Sequence, residues 1–273
     1  MTAGELLCHH LRTQLFPGVP WNTISGHLAG TGRGERLLEF FQEVVVVNMT
    51  CRLVVAGTSL MAKQGNSPGR DATDAIVQRH LRRYLRDKLE VATEQVEPLL
   101  ARLTTALEAT TEPHDLPSRR KAEFRNWARR LHPHCYMCGD LLDFGGLDQD
   151  REYNCEHVWP HCYGGNTVKE NLLPACKKCN QERKDDLASW AMGSIQALFL
   201  GFAPLQPQHR KIKGPYKVAL HNYAAMKLAA RERLSLKDAF IKLGPWGQPR
   251  LKDVEDTGDF FNLEIHQDLP YLR

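Results

Sequence analysis

The sequence predicts an α+β protein that is mostly helical and carries at its centre a metal-stapled strand–turn–strand–helix unit. Four observations lead there. Two Cys-x-x-Cys pairs, Cys135/Cys138 and Cys176/Cys179, stand about forty positions apart, and such pairs bring four thiolates to one closed tetrahedral Zn²⁺ at roughly 2.3 Å each. Between them, Glu152-Tyr153-Asn154-Cys155-Glu156-His157-Val158-Trp159 has the aromatic, β-branched and polar make-up of a short strand. Gly164-Gly165-Asn166 then signals a turn, because glycine accepts positive φ without steric cost. In the flanking segments apolar residues recur at intervals of three and four, the period of a helix with one buried face.

In chain order, the residues ahead of Gln64 read as helical, although Val44 to Val47 fit a strand equally well, and Gln64-Gly65-Asn66-Ser67-Pro68-Gly69 is a loop. From Ala75 to Val91, Val77, Leu81, Tyr84, Leu85 and Lys88 gather on one side of a helix. Arg79, Arg82, Arg83 and Arg86 gather on the other, either a stripe that tracks nucleic-acid phosphate or a solvated face. Pro98 restarts a helix, Leu99 through Leu107, and the breakers Glu112-Pro113-His114-Asp115-Leu116-Pro117 mark a domain boundary. A second strand leads to a helix beginning near Asn180, with Leu187, Trp190, Ala191, Ile195 and Leu198 on its buried face. Ala203 to Pro215 reads as a basic, Pro-rich arm, and helical spacing returns from Val218 to Leu243. Phe261, Leu263 and Ile265 alternate with polar residues as in a short strand. The domains expected are residues 1–117, helical and recruiting substrate or a partner protein; 118–200, the metal-stapled unit; and 201–273, the arm with a helical extension.

A 273-residue chain with 42% hydrophobic residues has room for a real core in one large or two modest domains. Its net charge of +4 is only mildly basic, but the charge is concentrated. Arg119, Arg120, Lys121, Arg125, Arg129 and Arg130 precede the first cysteine pair with Glu123 alone against them, and His209-Arg210-Lys211-Ile212-Lys213 forms a second run. Beside a phosphate-directed site, such runs are expected to contact nucleic acid. Met1 to His10 has no basic start followed by an apolar core, and the most apolar window, Leu37 to Ala56, is broken by Glu39, Gln42, Glu43, Asn48 and Arg52. A soluble cytoplasmic chain with no membrane partner is expected. In such a reducing compartment paired cysteines serve as metal ligands rather than disulfides. Cys8 and Cys51 then read as buried free thiols, and Cys155 and Cys162 as packed thiols or as further ligands of a zinc site.

A closed zinc site holds structure and leaves chemistry to what it frames. Here it frames an acid, an imidazole and amides. From Cys135 to Lys184 the chain resembles the HNH endonucleases, the zinc-framed branch of the ββα-metal or His-Me finger nucleases. The matching residues are Cys135-x-x-Cys138-Gly139, Glu156-His157, Pro160, Gly164-Gly165, Asn171-Leu172, Pro174, Cys176-x-x-Cys179-Asn180 and Lys184. The resemblance covers about fifty residues, a span consistent with one metal-framed unit. It implies a ββα-metal core in which Cys135, Cys138, Cys176 and Cys179 hold structural Zn²⁺ and His157 is the general base. It further implies that Glu156 and Asn180 hold a catalytic Mg²⁺ or Mn²⁺, and that Asn171 ties down the loop carrying His157. Histidine suits a base because its unperturbed pKa of about 6.5 leaves it neutral at cellular pH. A carboxylate and an amide oxygen suit a hard cation that keeps sites for water and phosphate. Lys184 would contact phosphate or stand as a solvated surface lysine, and from the basic run Arg125, Arg129 and Arg130 are expected to contact phosphate.

The expected function is hydrolysis of phosphodiester bonds in DNA, in a bacterial defence or restriction setting by analogy within that family. Three other readings stay open. Cys135 and Cys138 with His157 and His161 also match a Cys₂His₂ zinc finger, which would remove His157 from catalysis. A zinc-stapled nucleic-acid-binding module without catalysis would keep the cysteines and the basic runs. An RNase would use the same scaffold, since nothing in the sequence separates deoxyribose from a 2′-hydroxyl.

Overall fold

The computed structural model describes residues 1–15, 34–62, 69–183, 222 and 225–244. Helices predominate among them, with one small two-stranded sheet, as an α+β chain requires. Lys184, the Leu187–Leu198 face, most of the Gln64–Gly69 loop, the Ala203–Pro215 arm and the Phe261–Ile265 strand lie outside the described residues. No helix among the described residues is long and apolar enough to cross a membrane. The chain divides into two compact units. One comprises the described residues within Met1–Trp21, Gln42–Pro117 and His157–Asn171, and the other those within Asn22–Phe41, Ser118–Glu156 and Leu172–Arg273.

The first unit opens with α1, Ala3–His10, which runs into a π-helical turn, Leu11–Leu15. Thr2 starts it with a capping box: its hydroxyl accepts the Glu5 N–H while the Glu5 carboxylate accepts the Thr2 N–H. Helix α2, Gly34–Met61, of which the residues from Gln42 on belong to this unit, contains the four valines that also fitted a strand, and the burial of Val46 and Val47 outweighs the small helix penalty of β-branching. Helix α3, Ala75–Asp87, is capped by the Asp74 carboxylate on the N–H groups of Ile76 and Val77. Val77, Leu81 and Leu85 are buried along it. Tyr84 and Lys88, expected on that side, are exposed, because a phenol hydroxyl and an ammonium keep to water when they stand at the margin of a buried stripe or past the last turn.

Helix α4, Thr93–Thr111, is the spine of this unit, and α1 and α3 both pack on it. It begins ahead of Pro98 rather than at it. The proline removes one N–H near the helix start, a loss that burial of Val96, Leu99, Leu100, Leu103 and Leu107 offsets. Helix α2 approaches so closely that a Cβ on Gly57 would lie 2.5 Å from a Leu107 methyl.

The second unit holds the first residues of α2 and then α5, Ser118–Leu131, which buries only Phe124 and Ala128 and leaves its basic residues in water. Strands β1, Tyr153–His157, and β2, Leu172–Cys176, form the sheet, and α6, Lys177–Arg183, follows β2 directly. Toward the carboxyl end the single expected helical stretch is two. Residues 225–232 are helical, Arg233 turns at φ 56°, and Ser235 caps α7, Leu236–Leu243, by accepting the Asp238 N–H. Phe240 of α7 meets Tyr136 edge to face at 5.2 Å, and the Lys237 ammonium lies 5.1 Å from the Trp127 ring centroid.

Because Leu103 is fully buried on the spine helix, Leu103→Ala is expected to lower the unfolding free energy by about 2–5 kcal/mol, read as a fall in urea midpoint.

Candidate functional site

The four-cysteine cluster is built from two turns. After α5 the chain folds back at Cys135–Asp140: the Cys135 N–H donates to Asp140 O (2.9 Å) and the Gly139 N–H to Cys135 O (2.9 Å). Gly139 takes φ 79°, a left-handed conformation in which a side chain would be strained, and the turn brings the sulfurs of Cys135 and Cys138 together. The second pair straddles the start of α6. Cys176 ends β2 and its sulfur accepts the Cys179 N–H at 3.4 Å, so the thiol serves as a helix cap. The N–H groups of Lys177 and Lys178 donate to Glu152 O and Asp150 O at 2.9 and 3.1 Å, which satisfies the next free donors of that helix. This is why α6 begins at Lys177 rather than near Asn180: β2 and the sulfur cap start it.

The four sulfurs all lie within 4.8 Å of one another, with Cys138 and Cys176 at 3.8 Å. A tetrahedron with bonds of about 2.3 Å has edges of about 3.8 Å, so the four cysteines could hold one zinc ion. Hydrogen bonds from the thiols of Cys138, Cys176 and Cys179 hold Cys135 well below its ordinary value. Among the described residues this is the one grouping of possible metal ligands, and it leaves out His157 and His161, against the Cys₂His₂ alternative. Cys155 is not part of it. Burial, then the adjacent Glu156 carboxylate, pushes its thiol up to about 12, so it stays protonated at neutral pH. Cys162, expected to be packed, is exposed on a 3₁₀ turn, and Cys51 is half-buried.

Within the first unit, the residues after β1 form a loop whose backbone is tied by side chains. The Val158 N–H donates to Asn171 O (2.8 Å) and the Trp159 N–H to Asn171 Oδ1 (2.8 Å). In return Asn171 Nδ2 donates to Trp159 O (2.9 Å) and to Asn166 O (3.1 Å). Asn171 is 1% exposed, so these bonds work away from water. Pro160 leads into the 3₁₀ turn His161–Tyr163, and Gly164 closes it at φ 84°. Gly165 allows the chain to double back, since a Cβ there would lie 1.9 Å from Trp159 O. The amino terminus packs on the same loop: the Gly4 N–H donates to Gly164 O at 2.9 Å, the Ala3 N–H to Asn166 Oδ1 at 3.1 Å, and a Cβ on Gly4 would meet Trp159 Nε1 at 2.1 Å.

His157 is buried at the end of β1, and its Nε2 lies 3.0 Å from Thr167 Oγ1. Its ring centroid stands 5.0 Å from that of His114 and 5.8 Å from that of His161. His161 donates through Nε2 to Glu112 O at 3.0 Å, since a carbonyl only accepts, and burial followed by the nearby His114 holds its pKa below the ordinary imidazole value. The Glu112 carboxylate accepts from Asn166 Nδ2 at 3.0 Å. Glu112, His114, Asn166 and Thr167 thus surround His157 and His161, and the sequence singled out none of them as site residues.

The other candidates stand as follows. In the second unit, Glu156 is buried on β1 and Asn180 is half-buried on α6. Arg79 is exposed, whereas Arg82 is paired with Glu97, and Arg83 and Arg86 both pair with Asp87. Arg125 donates to Phe144 O and lies 5.6 Å from the Tyr153 ring centroid, so its guanidinium braces the segment before β1. Arg129 and Arg130 are exposed at the end of α5. No family model, curated protein or solved structure matches the chain.

Elemental analysis of the purified protein is expected to find one zinc per chain, with Cys176→Ser losing it and loosening α6, because ligand binding and local folding are one equilibrium. Asn171→Ala orphans the buried Trp159 N–H and is expected to cost about 1–3 kcal/mol in denaturant titration while leaving zinc content intact.

Proposed function

We propose that this protein is a metal-dependent HNH endonuclease with a zinc-stapled ββα-metal core, hydrolysing phosphodiester bonds in DNA. The observation that carries the reading is the fastening of the His157 loop by the buried Asn171 carboxamide, in a chain whose four cysteines cluster around the second strand and its helix. The zinc holds structure. Glu156 and Asn180 offer the oxygens for a hard divalent cation, Mg²⁺ or Mn²⁺, which when bound supplies positive charge at the phosphate. His157 takes a proton from water, and the hydroxide oxygen bonds to phosphorus as the bond to the leaving oxygen breaks. The leaving oxygen departs with that electron pair and is protonated by solvent. The exposed Arg129 and Arg130 offer backbone phosphate contacts that Arg125, engaged with Phe144, does not.

Supercoiled plasmid and structured RNA, each with Mg²⁺, Mn²⁺ or chelator, test the reading. Metal-dependent plasmid cleavage is expected, falling about 10²- to 10⁴-fold in His157→Ala with zinc and DNA binding retained. Glu156→Ala should regain part of its activity as the divalent metal is raised, a rescue that His157→Ala should not show. Gel retardation with no cleavage would select the binding module, and cleavage confined to RNA would select the RNase.

A further inference from the structure

We infer that His114 touches the substrate, its imidazole N–H donating to a non-bridging oxygen of the scissile phosphodiester; the contact rests on the nuclease reading and gives that site a residue from outside the zinc-framed span. His114 stands ahead of Cys135 to Lys184, so the resemblance supplies no counterpart for it, and the fold alone brings it to the histidine loop. Its ring centroid lies 5.0 Å from that of His157 and 5.1 Å from that of His161. His157 is buried and His161 half-buried, whereas His114 is exposed, so it is the ring of the three that a substrate meets first from solvent. Among the described residues its ring contacts are these two imidazoles, and neither of its nitrogens carries a hydrogen bond.

An exposed histidine ordinarily turns freely, and ordering it on binding costs entropy. This one is held beforehand. The Thr167 hydroxyl donates to the His114 carbonyl oxygen at 3.2 Å. Two residues earlier the Glu112 carbonyl accepts His161 Nε2–H at 3.0 Å, and the Glu112 carboxylate accepts Asn166 Nδ2 at 3.0 Å. The segment is thus clamped to the loop on both sides of Pro113, and the His114 ring meets that of His161 edge to face at 67°. The spacing suits one phosphate. A general base reaches its water at about 2.6–3.2 Å and the attacking oxygen stands about 3–3.5 Å from phosphorus, so a ring centred 5.0 Å from that of His157 is within reach of the same phosphate's outer oxygens. Neutral or charged, an imidazole keeps at least one N–H to donate. Charge favours the same ligand, because His114 helps to lower the pKa of His161, a repulsion between two cationic rings that a bound oxyanion relieves.

The test is ¹H–¹³C correlation on full-length protein with histidine labelled at Cε1, without added divalent cation, with His114→Gln identifying the His114 signal. Duplex DNA, structured RNA and inorganic phosphate are titrated separately against chloride at matched ionic strength. The duplex is expected to move the His114 signal saturably, in step with binding followed by fluorescence anisotropy. In plasmid cleavage with Mg²⁺, His114→Ala should lower kcat/KM about ten- to a hundredfold, the worth of a hydrogen bond to a charged group. His114→Asn or His114→Gln, which place an amide N–H near Nδ1 or Nε2, should recover most of that loss. Equal loss in all three variants marks a structural role and overturns the contact. A signal that stays fixed while both nucleic acids saturate the protein, or one that responds to inorganic phosphate alone, overturns it too, whereas a response to RNA alone keeps the contact and moves the substrate to RNA. If the signal responds to duplex while the wild type cuts nothing, the nuclease reading falls and the contact stands as one to nucleic-acid phosphate. If the wild type and His114→Ala cut equally well, the contact falls and the nuclease reading stands.

Discussion

Between His157 and Leu172 the chain runs partly buried without a sheet ladder to pair its backbone, and buried polar groups left unpaired are costly. The Asn171 carboxamide meets that constraint, with its oxygen on the Trp159 N–H and its nitrogen on two carbonyls. The path of the loop follows from it. Once Trp159 is pinned, Pro160 and the 3₁₀ turn have one way to go, Gly165 must pass against Trp159 O, and Trp159 Nε1 finds Tyr163 O at 2.8 Å. The position of the His157 ring is a by-product of this closure, because Thr167 comes back along the same loop.

The second unit solves a related problem with sulfur. A short helix directly after a strand has free N–H groups and little length over which to recover their loss. The carbonyls of Asp150 and Glu152 and the sulfur of Cys176 take up those donors, so the residues that gather the four cysteines also start the helix. The gathering of the four sulfurs and the start of α6 are consequently one feature, and Asn180 takes its place on the helix from it.

Short-range features of this chain were legible in its sequence, and long-range ones were not. The cysteine spacing, the Gly164 turn, the Asp74-capped helix and the Glu112–Pro117 break each depend on residues a few positions apart, so local chemistry marks them. Pro98 misled because burial along α4 outweighs one missing N–H, and Tyr84 and Lys88 misled because periodicity does not show where a buried stripe ends. Most of the surroundings of His157 could not be read at all. Glu112 and His114 looked like nothing more than a breaker segment, and they meet Asn166 and Thr167 across separations of 54 and 53 residues. The arginines of α3 were visible as a stripe, but their partner Glu97 belongs to another helix.

The seating of Ala3 and Gly4 on the loop at Gly164 and Asn166 bears on the order in which the protein is made. Residue 3 leaves the ribosome 163 positions ahead of the asparagine it will bond, and α1 has to wait for that partner. Closing so long a stretch of chain is entropically costly and slow compared with forming helices, so the histidine loop is among the last parts of its unit to set. A nascent or truncated chain would carry folded α-helices without an ordered His157. The His157 ring therefore reaches its place only when synthesis is well advanced.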